Sequence, residues 1–578
     1  MLLPFIEKRR SHNRLLTWGV GTTVHRRSGL ALSVAMLAFA GVWIPHAAAQ
    51  TPAPAVSPSP AAASPAPGQT PGAGPLPSET PGANPTPLET PTPPPIIVEP
   101  PAAALPPGGT QVMRVLQVAG SIALSVADTT VADATVDQGT RTITIFGRAV
   151  GRTTLTVRDD RGMTRDVAIR VAYMAGSVAD YTSVRITGNP ATQFFVKEQA
   201  VIAASRRAFL RPGASIVASP DSVSVSRPLG VDNVVNVDVP VIIQGDQYLT
   251  TQGTTHVRVE NFAQPAVRPG KLFVSDYPET LRENGVLFTA DLTRSEARRF
   301  LYYHYNPALQ PDRRIVLKVE NPSSQPAQVQ FISGWAGPGV NEMEVGHLST
   351  QRFLVRLAQN EGTVVTVPGG STVTLVDQAL PARNVVSNLL QLHVIEGPLL
   401  HLTLLAQDAA DPVDGPVTQS VLLTGDHPHA RGIYDIPEFF LEYAYDSDGP
   451  DLEVPIGQIP LPNVLQGQAL AGDYGVLQSV TVRMTNYDQH SPRYVALYAN
   501  PRGGRATGTF IIDGVLVQAH AMAAFTHYKL RQYTIPPGGF VRTEIVTMPE
   551  GGSSYPLRLV VAPDDGSAPP GSPDSVIY

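Results

Sequence analysis

Between Gln111 and Tyr173 the chain reads QVMRVLQVAGSIALSVADTTVADATVDQGTRTITIFGRAVGRTTLTVRDDRGMTRDVAIRVAY. Apolar residues recur in its short runs: Val112, Val115 and Val118, then Ile143 and Ile145, then Leu155 and Val157, then Val167, Ile169 and Val171. A period of two puts one face of a strand in a core and the other in water, so these runs are expected as half-buried strands. Gly120, Gly139, Gly147, Gly151 and Gly162 fall between them, where turns call for φ values that other residues reach only with strain. A small β-sandwich module is expected here.

Two features go beyond generic β patterning. The stretch VADTTVAD (Val126–Asp133) doubles a Val-Ala-Asp triplet just before the strand expected at Ala134–Val136, and FGRAVGRTTLTVRDDRG follows from Phe146 to Gly162. In Ala132, Asp133, Ile145, Gly147, Gly151, Thr153, Leu155, Asp159 and Gly162 this region resembles the N-terminal region of pilus-assembly and secretin-type proteins of bacterial type II and type III secretion systems. The resemblance implies partners among envelope, pilus or secretion proteins. Bacterial immunoglobulin-like repeats share the hairpin, so a generic extracellular immunoglobulin-like domain is the alternative.

With 578 residues there is room for three or four domains. A net charge of −6 and only 16% charged residues give no field that would attract nucleic acid, which is excluded as a partner. The absence of cysteine removes disulfides, thiol catalysis and cysteine-ligated zinc. Near the start, Lys8, Arg9, Arg10, Arg14, Arg26 and Arg27 precede an apolar run from Gly29 to Ile44 and then Ala47-Ala48-Ala49. This is the pattern of an export signal cleaved after Ala49, with an uncleaved anchor as the alternative. No later segment offers 18 uninterrupted apolar residues, so no transmembrane segment is expected in the mature chain. Residues 50–109, rich in Pro, Ala, Thr, Gly and Ser, are expected to be a disordered, semi-stiff tether.

The fold class expected is mainly β and multi-domain: a β module over 110–175, a small α/β module over 176–270, a β-sandwich over 271–410, a second over 411–565, and a disordered tail from 566. In the α/β module, Phe194–Leu210 carries Phe194, Val201 and Ala208, and Phe195, Ile202 and Phe209, at sevenfold spacing, and reads as a helix ended by Pro212-Gly213. Beyond Leu272, strands are expected near 285–291, 299–305, 315–320 and 327–334, with turns at Asn306-Pro307 and Asn321-Pro322. Gly472–Gly514 repeats that order of Gly-Val-Leu, strands and Asn-Pro, so the two halves read as a duplicated β arrangement. Residues 272–563 also resemble an uncharacterised β-rich region of exported bacterial proteins, in the turns Ser275–Glu279, Tyr302–Asn306, Asn500–Gly504 and Glu550–Ser553.

The sequence lacks the G-x-S-x-G elbow, the H-E-x-x-H helix and the phosphate-binding loop, so no catalytic residue and no cofactor is expected. His427 and His429 flank Pro428, which points their imidazoles along an extended chain rather than at one metal. His304 alternates onto the face of Tyr302, where a packed, hydrogen-bonded histidine is expected. The run Asp446, Asp448, Asp451 and Glu453 is a weak calcium candidate, acidic enough for a hard cation but without the EF-hand order. Arg502 and Arg505 flank a glycine pair whose amides could hold an anion or sugar. The expected function is a non-catalytic envelope protein that docks other proteins; the alternative is a surface adhesin that binds cell-wall glycan.

Overall fold

The computed structural model describes residues 94–426 and 429–569. The expected export signal, the tether up to residue 93, His427 and the end of the tail lie outside them.

β1 (Ile97–Glu99), β2 (Ala102–Leu105), β3 (Thr110–Gln117), β4 (Ala123–Val126), β5 (Ala132–Asp137), β6 (Thr142–Gly147), β7 (Gly151–Arg158) and β8 (Thr164–Val171) make two four-stranded sheets, ordered β1-β3-β6-β5 and β2-β8-β7-β4. Met113, Val115, Ile143, Ile145, Leu155, Val157, Val167 and Ile169 form the layer between them. Val112 departs from the expected pattern and is 57% exposed. Counting by two from Val115 puts Met113 inward, paired with Ile143, and Val112 on the outer face. The tether expected to reach Gly109 gives way earlier, because Ile96, Val98, Ala103 and Leu105 alternate into this core. Their pattern is masked in the sequence by the prolines at 100, 101, 106 and 107.

Of the five glycines, Gly120 and Gly162 take positive φ. Gly147 and Gly151 serve a different need. A Cβ at either would stand 2.7 Å from the Pro106 carbonyl oxygen or from a Val131 methyl, so these positions require absence of bulk rather than unusual φ.

The next unit comprises β9 (Gly176–Ser177), β10 (Tyr181–Ile186), α1 (Gln193–Arg207), β11 (Phe209–Leu210), β12 (Ser215–Val217), β13 (Val234–Gln244) and β14 (Thr251–Asn261). Thr192 caps α1 by accepting from the Phe195 amide. The helix buries Phe195, Val196, Gln199, Ala200, Val201 and Ala204, so only Phe195 and Val201 of the sevenfold stripes face the core, and Phe209 is 60% exposed. It ends before Pro212-Gly213 because Phe209–Leu210 pairs with Gly176–Ser177 as a short ladder.

The first sandwich contains β15 (Pro269–Ser275), β16 (Gly285–Leu292), β17 (Ala297–Asn306), β18 (Arg313–Glu320), β19 (Ala327–Ser333), β20 (Ala336–Gly339), α2 (Glu342–Gln359), β21 (Thr363–Val367), β22 (Thr372–Leu380), β23 (Asn384–Glu396), β24 (Leu400–Asp408) and β25 (Arg431–Tyr434). The second contains β26 (Glu438–Asp446), β27 (Leu452–Ile456), β28 (Leu477–Thr485), β29 (Arg493–Pro501), β30 (Ala506–Ile512), β31 (Val515–Met522), β32 (Tyr528–Ile535), β33 (Phe540–Thr547) and β34 (Leu557–Pro563). One topology is used twice. The sheets β15-β17-β23-β19 and β16-β24-β18-β22 recur as β26-β28-β33-β30 and β27-β34-β29-β32, with β15-β17 and β26-β28 the parallel pairs of the two sets. The Gly-Val-Leu triplets fall on non-equivalent strands, β16 and the start of β28. The equivalent residues are Asn306 and Asn486, whose buried side-chain amides cap the carbonyls of Leu380 and Ile535 at the same corner.

Between the two units the sheet does not stop. β10 pairs with β21, so β12-β13-β14-β10 and the first sandwich share one eleven-stranded sheet. α2, not among the elements expected from the sequence, carries a capping signal in Asn341 and Glu344: the Asn341 side chain accepts from the Glu344 amide. α2 packs between the two sandwiches, with Phe353 and Leu354 against Leu301, Leu389, Leu477 and Met548. No helix among the described residues is long and apolar enough to cross a membrane.

Candidate functional site

The chain leaving β15 turns at Asp276-Tyr277-Pro278-Glu279 and is fixed from several directions. His304, buried in β17, donates from Nδ1 to the Pro278 carbonyl at 2.9 Å; a carbonyl only accepts, so Nδ1 carries the hydrogen. Its Nε2 then accepts from the Ser275 hydroxyl at 3.2 Å. Burial pushes His304 down to about 4, so it stays neutral at ordinary pH, the packed role expected of it. The Tyr305 amide donates to the Glu279 carbonyl at 2.8 Å. Arg431 donates to the Tyr277 carbonyl at 3.1 Å and lies over the Tyr277 ring. Arg313 reaches the Leu281 and Arg282 carbonyls from β18.

This scaffold delivers Asp276 and Glu279 to His429, which enters just ahead of β25. His429 Nδ1 stands 3.4 Å from Asp276 Oδ2 and its Nε2 3.1 Å from Glu279 Oε2. One donor atom from each residue can be chosen so that all three lie within 4.8 Å of one another. Among the described residues this is the one group of three such side chains so placed. Burial pushes the Asp276 carboxyl up to about 7, against the pull of its hydrogen bond to His429. Glu279 is raised by burial, partly offset by His429, and the hydrogen bond to Asp276 raises His429. The other Asp276 oxygen, Oδ1, is buried without a hydrogen-bond partner.

A cavity of about 320 Å³ opens beside the cluster, lined by Tyr303, Tyr474, Gln468 and Gly551–Ser553 as well as the three ionisable groups. A second, of about 250 Å³, lies against Glu279 and His429 toward Arg282 and Asp426. Three of the four motifs singled out in the sequence thus meet here: Ser275–Glu279, Tyr302–Asn306, which is the end of β17 and not a turn, and Glu550–Ser553. Local spacing could not join His429 to Asp276, because the two come from segments some 150 residues apart that the β15–β25 ladder brings together.

The other sequence candidates are placed differently. Asp446 accepts from the Asp448 amide at 3.0 Å within its own turn, Asp448 pairs with Arg493 at 2.8 Å, and Glu453 pairs with Arg502 and Arg558. Asp451 is exposed on the same turn. The Arg502 and Gly503 amides are not free for an anion; both donate to the Pro556 carbonyl. In the first module, Ala132 and Leu155 are buried. Asp133 pairs with Arg148 at 2.7 Å, Thr153 accepts from the Asp128 amide at 2.9 Å, and Gly162 closes the turn by donating to the Asp159 carbonyl. Burial would raise Asp159, but Arg161 and the Met163 and Ala119 amides hold it below the usual carboxylate range.

Two surfaces were not expected from the sequence. The outer face of β1-β3-β6-β5 presents Ile97, Val112, Leu116 and Phe146, each at least 40% exposed. A groove of about 700 Å³ runs between α1 and the first sandwich, lined among others by Phe195, Ile202, Arg206, Trp335, Leu375 and Asp377.

Residues 99–172 match the family model of the pilus formation protein N terminal region of type II and type III secretion systems, as the resemblance in the sequence implied. No curated protein matches the chain. Among solved structures, domains 5-6 of the S-layer protein SbsC are 16% identical, covering 29% of this chain and 96% of that one at a TM-score of 0.13. The fibronectin(III)-like modules of Clostridium thermocellum CbhA are 14% identical over 29% and 94%, at 0.16. Bacteroides ovatus SGBP-B, solved with a mixed-linkage heptasaccharide, is 11% identical over 50% and 71%, at 0.12.

Proposed function

We propose that this is a non-catalytic protein of the bacterial envelope that docks components of a pilus or secretion assembly through its N-terminal module. The observation that carries this reading is the family match over residues 99–172. The outer face of that module supports it: on a sheet whose inner face is closed, Val112, Leu116 and Phe146 are left exposed among the described residues. Burying such residues against another protein supplies about 25 cal/mol per Å² of apolar area. β5, a sheet edge among the described residues, offers in addition a backbone ladder to a partner strand.

The test is capture from envelope extracts with the exported chain and with a Val112→Asp, Phe146→Glu double variant. Pilus or secretion proteins held by the parent and lost from the variant are the expected result. Recovery of polysaccharide alone, or equal capture by both proteins, overturns the reading. The adhesin alternative draws on the groove beside α1, whose wall includes Trp335, stacked by Arg352, and Arg206, bonded to the Leu375 carbonyl. Glycan retention abolished by Trp335→Ala would favour it.

A further inference from the structure

The cluster Asp276–Glu279–His429 lies far in sequence from the docking module and does not depend on the reading above. Its make-up is that of a coordination site, with one imidazole nitrogen and two carboxylates. Calcium takes six to eight oxygens, whereas a mixed nitrogen and oxygen set suits zinc and the neighbouring divalent ions. Zinc stands about 2.0–2.2 Å from each such ligand, so two donors of one tetrahedral ion are about 3.4 Å apart. The three donors lie within 4.8 Å of one another, and drawing together by about an ångström, with the imidazole turned so that one nitrogen faces both carboxylates, meets that spacing.

Two further observations point to a cation. Asp276 Oδ1 is a buried acceptor with nothing to accept from, a costly state that a bound ion would relieve. The loop is also held in place before any ion arrives. His304, Arg431, Arg313 and the Tyr305 amide each fix its backbone, so little ordering entropy is spent on binding. The cavities of about 320 and 250 Å³ on either side leave room for water or a partner's side chain to complete the coordination.

We propose that Asp276, Glu279 and His429 bind one divalent first-row transition-metal ion of the zinc type, with open coordination positions facing the cavity at the joint of the two sandwiches. Three protein ligands and open positions distinguish this from a closed structural site. The ion would crosslink the β15–β16 loop to the segment ahead of β25.

The experiment is calorimetric titration of the chelator-treated full chain with zinc chloride, followed by thermal melts with and without the ion. One zinc per chain and a rise in Tm on zinc addition are expected. Asp276→Asn, Glu279→Gln and His429→Gln should each weaken binding at least about 100-fold and abolish the Tm rise. Asp448→Asn, in the acidic turn of the other sandwich, should leave both unchanged. Circular dichroism of each variant checks the fold, and His429→Gln, on the more exposed side of the cluster, keeps the test open should Asp276→Asn misfold. No zinc uptake by the parent chain, or uptake that all three variants retain, overturns the proposal. So does an ion pair only, seen as a Tm that His429→Gln lowers equally with and without zinc.

Discussion

The β15–β16 loop and the β26–β27 loop occupy the same place in two sandwiches of one topology, and both are acidic. In the second, the carboxylates are answered locally: Asp448 by Arg493, Glu453 by Arg502 and Arg558, and Asp446 by its own turn. In the first, the residue equivalent to Arg493 is Arg313, since both sit opposite the last residue of the neighbouring strand, Leu380 or Ile535. Arg313 is spent on backbone carbonyls and on Asn284 and Asn306, so it never reaches Asp276 or Glu279. The same arginine position therefore neutralises one loop and merely shapes the other. Acidic composition alone does not make a cation site; what counts is whether the scaffold has already supplied the counter-charge.

The largest expected break in this comparison comes from the two arginines. Arg313 is buried, and Arg313→Met should cost roughly 3 kcal/mol in urea unfolding, because several buried acceptors lose their donor together. Arg493, with a side chain 42% exposed, should cost under about 1 kcal/mol on the same change. Equal costs would show that the two positions are not used differently.

Asn306 and Asn486 test the opposite point, that the corners are used alike. Each side-chain amide satisfies the carbonyl ending the neighbouring strand and one in the adjoining loop, Pro311 or Ser491. Replacement by alanine should therefore destabilise by a similar amount, about 2 kcal/mol at either site. Values differing by more than a factor of two would break the equivalence.

A smaller effect sharpens how the halves are joined. His347 of α2 and Glu550 of the second sandwich form a buried pair at 2.9 Å. Burial works to depress His347, but the charge and hydrogen bond of Glu550 overturn this and raise it above its ordinary 6.5. Burial would raise Glu550, yet His347, Thr507 and Thr509 bring it below 4.5. The histidine's contribution is complete below pH 6.5 and is lost as pH climbs through the raised value. The glutamate's is complete above 4.5 and is lost as pH falls through the depressed one. Stability from this pair should therefore be fullest between pH 4.5 and 6.5. His347→Gln should remove roughly 1–2 kcal/mol there and flatten the alkaline limb of Tm against pH. The smallest change expected is Asp448→Asn, about 0.5 kcal/mol or less, since its partner is half exposed.

Where alternation was strict, the sequence was readable. Ile143 with Ile145, and Val167 through Val171, gave the first module's core, and its hairpin residues gave the family resemblance. Reading failed where two signals overlapped, as at Val112, whose spacing of three from Val115 cannot hold one face of a strand. It failed again at Ile96–Leu105, where proline content outweighed a short apolar alternation. The duplication was visible but misregistered, because Gly-Val-Leu is a common strand opening, whereas the shared feature is a buried asparagine. Tyr302–Asn306, Ser275–Glu279 and Glu550–Ser553 each stood out as turns. What no linear reading could supply is that β17 carries the first two side by side and α2 holds the third against them.

The unbroken sheet through β10 and β21 has a mechanical consequence. Their two residue pairs are reinforced by Thr187 to the Asn360 carbonyl and by Arg356 to Glu198, so the joint is bonded by backbone and side chains together. A pull entering through the α/β unit passes into the first sandwich without meeting a hinge, and the two respond as a single stiff strut.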